Sequence, residues 1–157
     1  MRVMNIEAEV GKTLQKRNMT LAVAESCTGG LISNRITDVS GSSKYFKMGV
    51  VAYSNKIKEE ILWIPGSLIR KYGAVSRQVA IEMAEGVRAI ANADIGMGVT
   101  GIAGPSGGTE KKPVGLVYIA LLIGKKRIVK KFKLKGSRQE IKFQASQVAL
   151  KLIIQNG

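Results

Sequence analysis

Hydrophobic residues recur along the chain with two spacings, one typical of helices and one of strands. Met4, Ile6, Val10 and Leu14 recur at near-helical spacing, which predicts an amphipathic helix over residues 4–16. The pattern predicts further helices over residues 29–39, 55–64, 77–93 and 138–155. Short apolar runs predict strands over residues 20–25, 48–54 and 95–101, and a hairpin of residues 116–124 and 127–135.

The order of these elements predicts the fold class. Strands alternate with helices up to residue 101, and two strands then pair antiparallel before a last helix. This order is typical of an α/β fold, here a three-layer α/β/α sandwich with a mixed, mainly parallel β-sheet. Ser76 is placed to cap the helix that follows it, and Ser137 with Glu140 forms a capping box for the last helix. No linker or repeat interrupts the pattern, so we expect one domain over residues 1–157.

The composition of the chain indicates where the protein works and which chemistries it lacks. No apolar run approaches the roughly 20 residues that cross a bilayer, and no signal peptide is evident, so we expect a cytoplasmic protein without membrane contact. The chain has no histidine and one cysteine. Histidine-based triads and the usual zinc sites are therefore excluded, and we expect neither a metal nor a cofactor. Acid–base catalysis falls to Lys, Glu, Asp, Tyr or water.

The formal net charge of +14 raises the question of a nucleic-acid partner. The charge is concentrated in "KKRIVKKFKLK", residues 125–135, where lysines alternate with apolar residues as on the solvated face of an edge strand. Aromatic residues make up only 5% of the chain, which argues against base stacking. A solvated strand face is the favoured interpretation, and nucleic acid is not the expected partner.

Polar residues follow the first predicted strand in "ESCTGG", residues 25–30. Ligands of open α/β sheets bind at the carboxyl ends of strands, and this corner lies at such an end. The two glycines allow close approach of a ligand, and free N–H groups of the next helix can hold an anion. The alternative is that Ser26 or Thr28 only caps that helix.

Two further polar segments follow neighbouring strands. In "YSNKIKEE", residues 53–60, Lys56 or Lys58 could serve a serine nucleophile as base if burial lowered its pKa, with Tyr53 as a relay. A solvated lysine is the alternative. The loop "TGIAGPSGGTEKKPVG", residues 100–115, is glycine-rich but has neither P-loop nor dinucleotide spacing. A loop of this length is more often a ligand loop than a plain connection.

Several of these motifs together resemble the C-terminal domain of the CinA (competence/damage-inducible) family. The resemblance is carried by "AESCTGGLISNRITDVSGSSKYFKMGVVAYSNKIKEEIL", "GAVS" and "VTGIAGPSGGTEKKPVGLVY" in this order, from about Leu21 to the final helix. Stand-alone members of this family are bacterial nicotinamide mononucleotide deamidases, whereas full-length members carry a separate N-terminal domain that is not expected here. The resemblance implies hydrolysis of the carboxamide of nicotinamide mononucleotide to nicotinate mononucleotide and ammonia, in pyridine nucleotide salvage.

The resemblance also implies a Ser/Lys mechanism without a metal. Ser26 would be the nucleophile and Lys58 its base, with Ser43 and Tyr53 completing a proton relay. The family pattern G-D-R-x-x-x-R falls on "GSRQEIK", which retains Arg138 and has Lys142 in place of the second arginine. The resemblance thus places the substrate among Glu25, Cys27, Thr28, Gly29, Gly30, Asn55, Thr100, Gly101, Ala103, Gly104, Arg138 and Lys142.

Three questions stay open at this point. Because side chains alternate along a strand, Glu25 and Cys27 share one face and Ser26 takes the other, so a Cys27 nucleophile remains an alternative. A non-catalytic module that binds nucleotides or nucleic acid is an alternative of another class. Apolar helix faces near both ends of the chain lead us to expect a homo-oligomer, most simply a dimer.

Overall fold

The computed structural model describes residues 5–157, so Met4 of the first predicted helix lies outside the described residues. Along the chain the elements are α1 (Ile6–Lys16), β1 (Leu21–Glu25), α2 (Leu31–Thr37), β2 (Phe46–Val51), α3 (Asn55–Leu62), α4 (Gly66–Tyr72), α5 (Arg77–Ala91), β3 (Ile95–Gly101), β4 (Leu116–Ile123), β5 (Lys126–Lys133) and α6 (Arg138–Asn156). A single 3₁₀ turn, Ser42–Lys44, precedes β2.

The five strands form one sheet in the order β2-β1-β3-β4-β5. Strand β1 pairs in parallel with both β2 and β3, whereas β4 pairs antiparallel with β3 and with β5. The predicted mixed sheet is confirmed, but the expectation that it is mainly parallel is wrong, because two parallel pairs stand beside two antiparallel ones. Because these three strands run in parallel, the carboxyl ends of β1, β2 and β3 lie next to one another at the same edge of the sheet.

Helices cover both faces of this sheet. Helices α1, α2 and α6 pack with Leu21, Val23 and the other residues of one strand face in the larger core cluster. Ala22 and Ala24, on the opposite face, pack with residues of α3, α4 and α5. The predicted three-layer α/β/α sandwich is therefore confirmed. No helix among residues 5–157 is long and apolar enough to cross a membrane.

The helix starts follow the predicted caps, and one further cap matters for function. Ser76 accepts a hydrogen bond from the Val79 N–H, and the capping box of Ser137 and Glu140 is present. Ser54 caps α3 by accepting from the Ile57 N–H. The prediction that residues 48–54 form a strand is wrong at its end, because β2 stops at Val51 and Ser54 already begins the helix.

Helix α4 is the main element that the sequence pattern did not predict. It has only seven residues, Gly66–Tyr72, and begins directly after Pro65. Pro65 ends the predicted helix before it, and seven residues hold too few apolar repeats to show a helical period. Helix α4 leads into residues 73–76, a connection that contributes to the site described below.

Two glycines of β3 let helix α5 pack unusually close to the sheet. A Cβ on Gly98 would lie 2.2 Å from the carbonyl oxygen of Ala80 and 2.7 Å from the backbone nitrogen of Ala84. A Cβ on Gly96 would lie 2.2 Å from the Ala84 carbonyl oxygen. Since these are backbone atoms, neither clash can be relieved by a rotamer change.

We therefore expect Gly98→Ala to push α5 away from the sheet. Overpacking of this kind costs on the order of 1–3 kcal/mol, and the backbone contact places Gly98→Ala at the upper end of that range. Urea unfolding followed by far-UV circular dichroism measures the loss, with Ala89→Ser at an exposed position of the same helix as control. Equal stability of the two variants would contradict the close-packing account.

Candidate active site

Ser26 lies directly after β1, the central strand of the parallel part of the sheet. Its backbone N–H donates to the Val99 carbonyl of β3 at 3.0 Å, and the Ala52 N–H after β2 donates to the Glu25 carbonyl at 2.8 Å. Ser26 is thereby held between two strands, and its residue surface is only 8% exposed. The serine has a fixed position at the carboxyl edge of the sheet.

Lys58, the fourth residue of α3, extends its side chain toward this serine. Its Nζ lies 3.0 Å from Ser26 Oγ and donates to the Tyr53 carbonyl oxygen at 3.1 Å. The residue is 1% exposed, and burial lowers its pKa below the ordinary value for lysine. Within residues 5–157 no carboxylate forms an ion pair with it. A buried lysine without a counter-ion is suited to act as a base in its neutral form.

The topology of the sheet explains why these two residues meet. The chain leaves β1 toward α2 on one face and leaves β2 toward α3 on the other, as the two core clusters show. In the strand order β2-β1-β3, the topological switch point, where open α/β sheets leave a crevice, lies at the carboxyl ends of β1 and β3. Ser26 follows β1 at this crevice, and Lys58 reaches it from α3, which follows the neighbouring strand β2.

Glu25 holds the start of α2 in place, whereas the sequence predicts that it contacts the substrate. Its carboxylate is fully buried and accepts from the N–H groups of Ile32 and Ser33 and from the Ser33 hydroxyl, at 2.7–3.0 Å. The prediction that these N–H groups of α2 are free for an anion is wrong, because Glu25 already occupies them. Glu25 thus anchors α2 behind the nucleophile and does not line the pocket.

The alternation of side chains after β1 places Ser26 and Cys27 on different sides. Ser26 turns toward Lys58, whereas Cys27 packs into the core cluster formed with α1, α2 and α6. Both residues border the pocket, but burial raises the pKa of the Cys27 thiol to about 12. At neutral pH this thiol is protonated, and a protonated thiol is a poor nucleophile.

This environment predicts slow labelling of Cys27 by iodoacetamide. At pH 8 a thiol with a pKa of about 12 is ionised to roughly one part in 10⁴, so we expect alkylation about 10³-fold slower than for an ordinary cysteine. Because the thiolate fraction grows with pH, the rate should rise about tenfold per pH unit from 7 to 10. The same protein in guanidinium chloride is the control. Fast labelling of the folded protein at pH 8 would contradict the assignment.

Arg138, the first residue of α6, joins two rims of the pocket. Its guanidinium donates to the Gly104 carbonyl at 2.6 Å and to the Tyr53 hydroxyl at 2.9 Å. Tyr53 is 59% exposed, and Lys58 contacts its backbone carbonyl instead of its hydroxyl. The structure therefore places the Tyr53 hydroxyl at the mouth of the pocket, beside Arg138, and not between Lys58 and Ser26.

Thr100 and its neighbours form the inner wall. The Thr100 hydroxyl donates to the Ala74 carbonyl at 2.8 Å, which ties the connection before α5 to the end of β3. A Cβ on Gly101 would lie 2.8 Å from the Leu116 carbonyl oxygen and 3.1 Å from Cys27 Sγ, so glycine is needed where β3 passes the nucleophile corner. These contacts keep the wall of the pocket close to Ser26.

The crevice forms a pocket of about 320 Å³. Its lining contains ten of the residues predicted from sequence: Ser26, Cys27, Tyr53, Asn55, Lys58, Thr100, Gly101, Ala103, Gly104 and Arg138. It also contains residues that the sequence reasoning missed: Ala74, Val75, Ile102, Ser106 and Gly107. The motif "GAVS", which contains Ala74 and Val75, was the available signal for the first two. No carboxylate lines the pocket, whereas Lys58 and Arg138 do.

The remaining predicted residues lie outside this lining. Ser43 is exposed in the 3₁₀ turn before β2, and Thr28 is buried behind the corner with its hydroxyl unpaired among residues 5–157. Gly29 and Gly30 have left-handed φ values of 60° and 99° and turn the chain into α2. Lys142 approaches Gly29 from α6, with its Nζ 3.5 Å from where a Gly29 Cβ would be. These residues shape the corner from outside the pocket.

Comparison with known proteins agrees with this fold. The model of the CinA C-terminal domain family matches residues 3–156. A CinA-like protein of Koribacter versatilis is 52% identical over 151 residues, which cover 95% of this chain and 36% of that protein. The chain likewise spans 36% of the length of a relative from Thermoanaerobacter pseudethanolicus, with 53% identity.

Solved structures show the same similarity. A competence damage-inducible protein A from Klebsiella pneumoniae superposes with a TM-score of 0.93 at 30% identity, covering 96% of this chain and 94% of that one. A competence/damage inducible protein from Agrobacterium tumefaciens gives a TM-score of 0.91 at 34% identity, covering 99% of this chain and 97% of that one. The chain therefore belongs to the CinA C-terminal domain family.

Proposed function

We propose that this domain is an amidohydrolase that converts nicotinamide mononucleotide to nicotinate mononucleotide and ammonia. The observation that carries the proposal is the buried pair of Lys58 Nζ and Ser26 Oγ, 3.0 Å apart in a pocket at the switch point of the sheet. A serine beside a lysine of lowered pKa is an activated nucleophile that needs neither histidine nor metal. The reaction belongs to the salvage of pyridine nucleotides.

The first half of the mechanism forms an acyl-enzyme. Neutral Lys58 accepts the proton of the Ser26 hydroxyl, and the serine oxygen attacks the amide carbonyl carbon. The tetrahedral intermediate collapses when its C–N bond breaks, and protonated Lys58 gives its proton to the departing nitrogen, so that ammonia leaves. Lys58 can make both proton transfers itself. Its Nζ lies beside Ser26 Oγ, and its other contact is the Tyr53 backbone carbonyl.

The developing oxyanion needs N–H donors that are free in the resting site. The Gly29 N–H donates to the Ser26 carbonyl at 3.1 Å, which removes it from consideration. The Cys27 N–H follows the nucleophile directly and has no backbone acceptor within residues 5–157. We assign it as one oxyanion donor, in the position that the residue after the serine takes in other serine hydrolases.

The second half of the mechanism restores the enzyme. Water enters the pocket, Lys58 accepts one of its protons, and the resulting hydroxide attacks the acyl carbon. The ester bond to Ser26 breaks, the serine oxygen takes back the proton from Lys58, and the acid product loses its remaining proton to solvent and leaves as the carboxylate. The pyridinium ring of the substrate withdraws electrons from the amide, which makes both attacks easier.

The charges of the pocket fit a phosphorylated amide. Lys58 and Arg138 line it and no carboxylate does, so its field favours an anionic substrate. Arg138 lies at the mouth beside Tyr53 and Gly104, and we place the phosphate of the mononucleotide there, with its amide at Ser26. The planar guanidinium suits phosphate, whereas Lys142 lies beside Gly29 and is not part of the pocket lining.

Mass spectrometry of nicotinamide mononucleotide incubated with the purified domain tests the proposal. We expect a mass gain of about one unit, as amide becomes acid, with release of one ammonia. Nicotinamide and nicotinamide riboside, which lack the phosphate, are matched comparisons and should react far more slowly. Unchanged nicotinamide mononucleotide after long incubation would refute the proposed activity.

A further inference from the structure

The glycine-rich loop between β3 and β4 has the form of a lid. Its neck is closed by hydrogen bonds from the Ile102 N–H to the Leu116 carbonyl and from the Gly115 N–H to the Ile102 carbonyl, at 2.9 and 2.8 Å. Residues 103–114 therefore form a closed loop with its own internal packing, where Val114 fills the space beside Gly104 and Gly108. The loop also borders the pocket, because Ser106 and Gly107 belong to its lining.

The tip of this loop is tied to the opposite wall by one lysine. Lys112 Nζ donates to the Tyr72 carbonyl at 2.5 Å, at the C-terminal end of α4. A tight turn fixes Lys112 in place, with the Thr109 N–H donating to its carbonyl and its own N–H donating to Thr109 Oγ1. The ammonium lies against Gly73, where a Cβ would approach it to 2.7 Å.

This bond joins two segments that both contribute residues to the pocket. Ala74 and Val75, two and three residues after Tyr72, line the pocket, and so do Ser106 and Gly107 of the loop. At the base, the Thr100 hydroxyl makes the corresponding bond to the Ala74 carbonyl. Lys112 itself is not part of the lining, so it affects the pocket only through the position of the loop.

We propose that Lys112 is a positioning residue whose bond to the Tyr72 carbonyl latches the loop of residues 103–114 closed over bound substrate. The proposal rests on the proposed function for its kinetic consequence, but the closed position of the loop is a property of the domain itself. Release of the latch frees the lid and weakens substrate binding. The chemical step is preserved, since Ser26 and Lys58 belong to elements that the loop does not hold.

The decisive experiment compares Lys112→Met with Lys111→Met, which removes the neighbouring exposed charge. In hydrogen exchange measured by mass spectrometry, we expect faster exchange of residues 103–112 in Lys112→Met only. In steady-state kinetics we expect KM to rise about fivefold or more with kcat within about twofold. Lys112→Arg, which keeps a donor at this place, should restore both quantities toward wild type.

Two results would overturn the latch. One is exchange of residues 103–112 that is the same in Lys112→Met as in Lys111→Met, and the other is an unchanged KM in an active Lys112→Met enzyme. A protein with no deamidase activity in any variant would refute the proposed function, while the exchange comparison would still decide whether Lys112 holds the loop. The two proposals therefore fail separately.

Discussion

Ser26→Ala should lower kcat for nicotinamide mononucleotide by about 10⁴-fold or more, the size of effect seen when a hydrolase loses its covalent nucleophile. The reason is that Ser26 Oγ is the atom 3.0 Å from Lys58 Nζ. Removal of this oxygen leaves the base with nothing to activate except water at a distance. Release of ammonia under substrate saturation measures the effect.

Cys27→Ala is the matched control for this prediction. It removes the adjacent sulfur, which packs into the core and carries a raised pKa, so we expect kcat to stay within about threefold of wild type. The variant should lose some stability because the side chain is buried. An active Ser26→Ala together with an inactive Cys27→Ala would show that the thiol is the nucleophile.

Lys58→Met should abolish turnover and at the same time stabilise the fold. Methionine has a similar length but no base, so we expect a loss of kcat of about 10³-fold or more. The pKa of Lys58 is lowered by burial, so the unfolded chain binds a proton more readily than the folded one. Below its unfolded pKa this lysine therefore destabilises the folded state, and unfolding stability rises with pH toward that value.

Urea unfolding at pH 7 and pH 9 measures the second half of this prediction. Lys58→Met removes the cost of burying a charge, so we expect its unfolding midpoint at pH 7 to lie above that of wild type. The difference between the two unfolding midpoints should narrow at pH 9, because wild type gains stability there and the variant does not. A variant that is less stable than wild type at pH 7, or that retains turnover, would contradict the role given to Lys58.

The lowered pKa of Lys58 also sets the pH dependence of the reaction. Only the neutral amine can accept the Ser26 proton, and the fraction of neutral amine grows as pH rises to the lowered pKa of Lys58. We therefore expect kcat/KM to rise with pH over the neutral range and then to level off, with the midpoint below the ordinary pKa of lysine.

The fold was largely predictable because its elements carry strong local signals. The strands are short apolar runs, and α5 and α6 begin at Ser76 and Ser137, residues whose side chains cap them. Helix α4 was missed since its seven residues are too few to show a period. Strand β2 was predicted to continue through Ser54, because sequence alone does not show where pairing with β1 stops.

The site was predictable where it depends on strand ends and less so where it depends on contacts across the chain. The absence of histidine pointed to lysine, and the structure brings Lys58 to Ser26 from 32 residues away. No sequence rule shows that Glu25 binds the start of α2 and leaves the pocket to its neighbour. The participation of Ala74 and Val75 likewise depends on α4, which the pattern did not predict.

The most direct test of the central claim is trapping of the acyl group with hydroxylamine. If Ser26 forms an ester with the acyl group of the substrate, hydroxylamine competes with water for this ester and yields the hydroxamate of nicotinate mononucleotide. We predict that wild type and Cys27→Ala form this hydroxamate at the expense of nicotinate mononucleotide, and that Ser26→Ala forms neither. Formation of the acid by wild type without any hydroxamate, or an equal yield of hydroxamate from Ser26→Ala, would contradict a Ser26 acyl-enzyme.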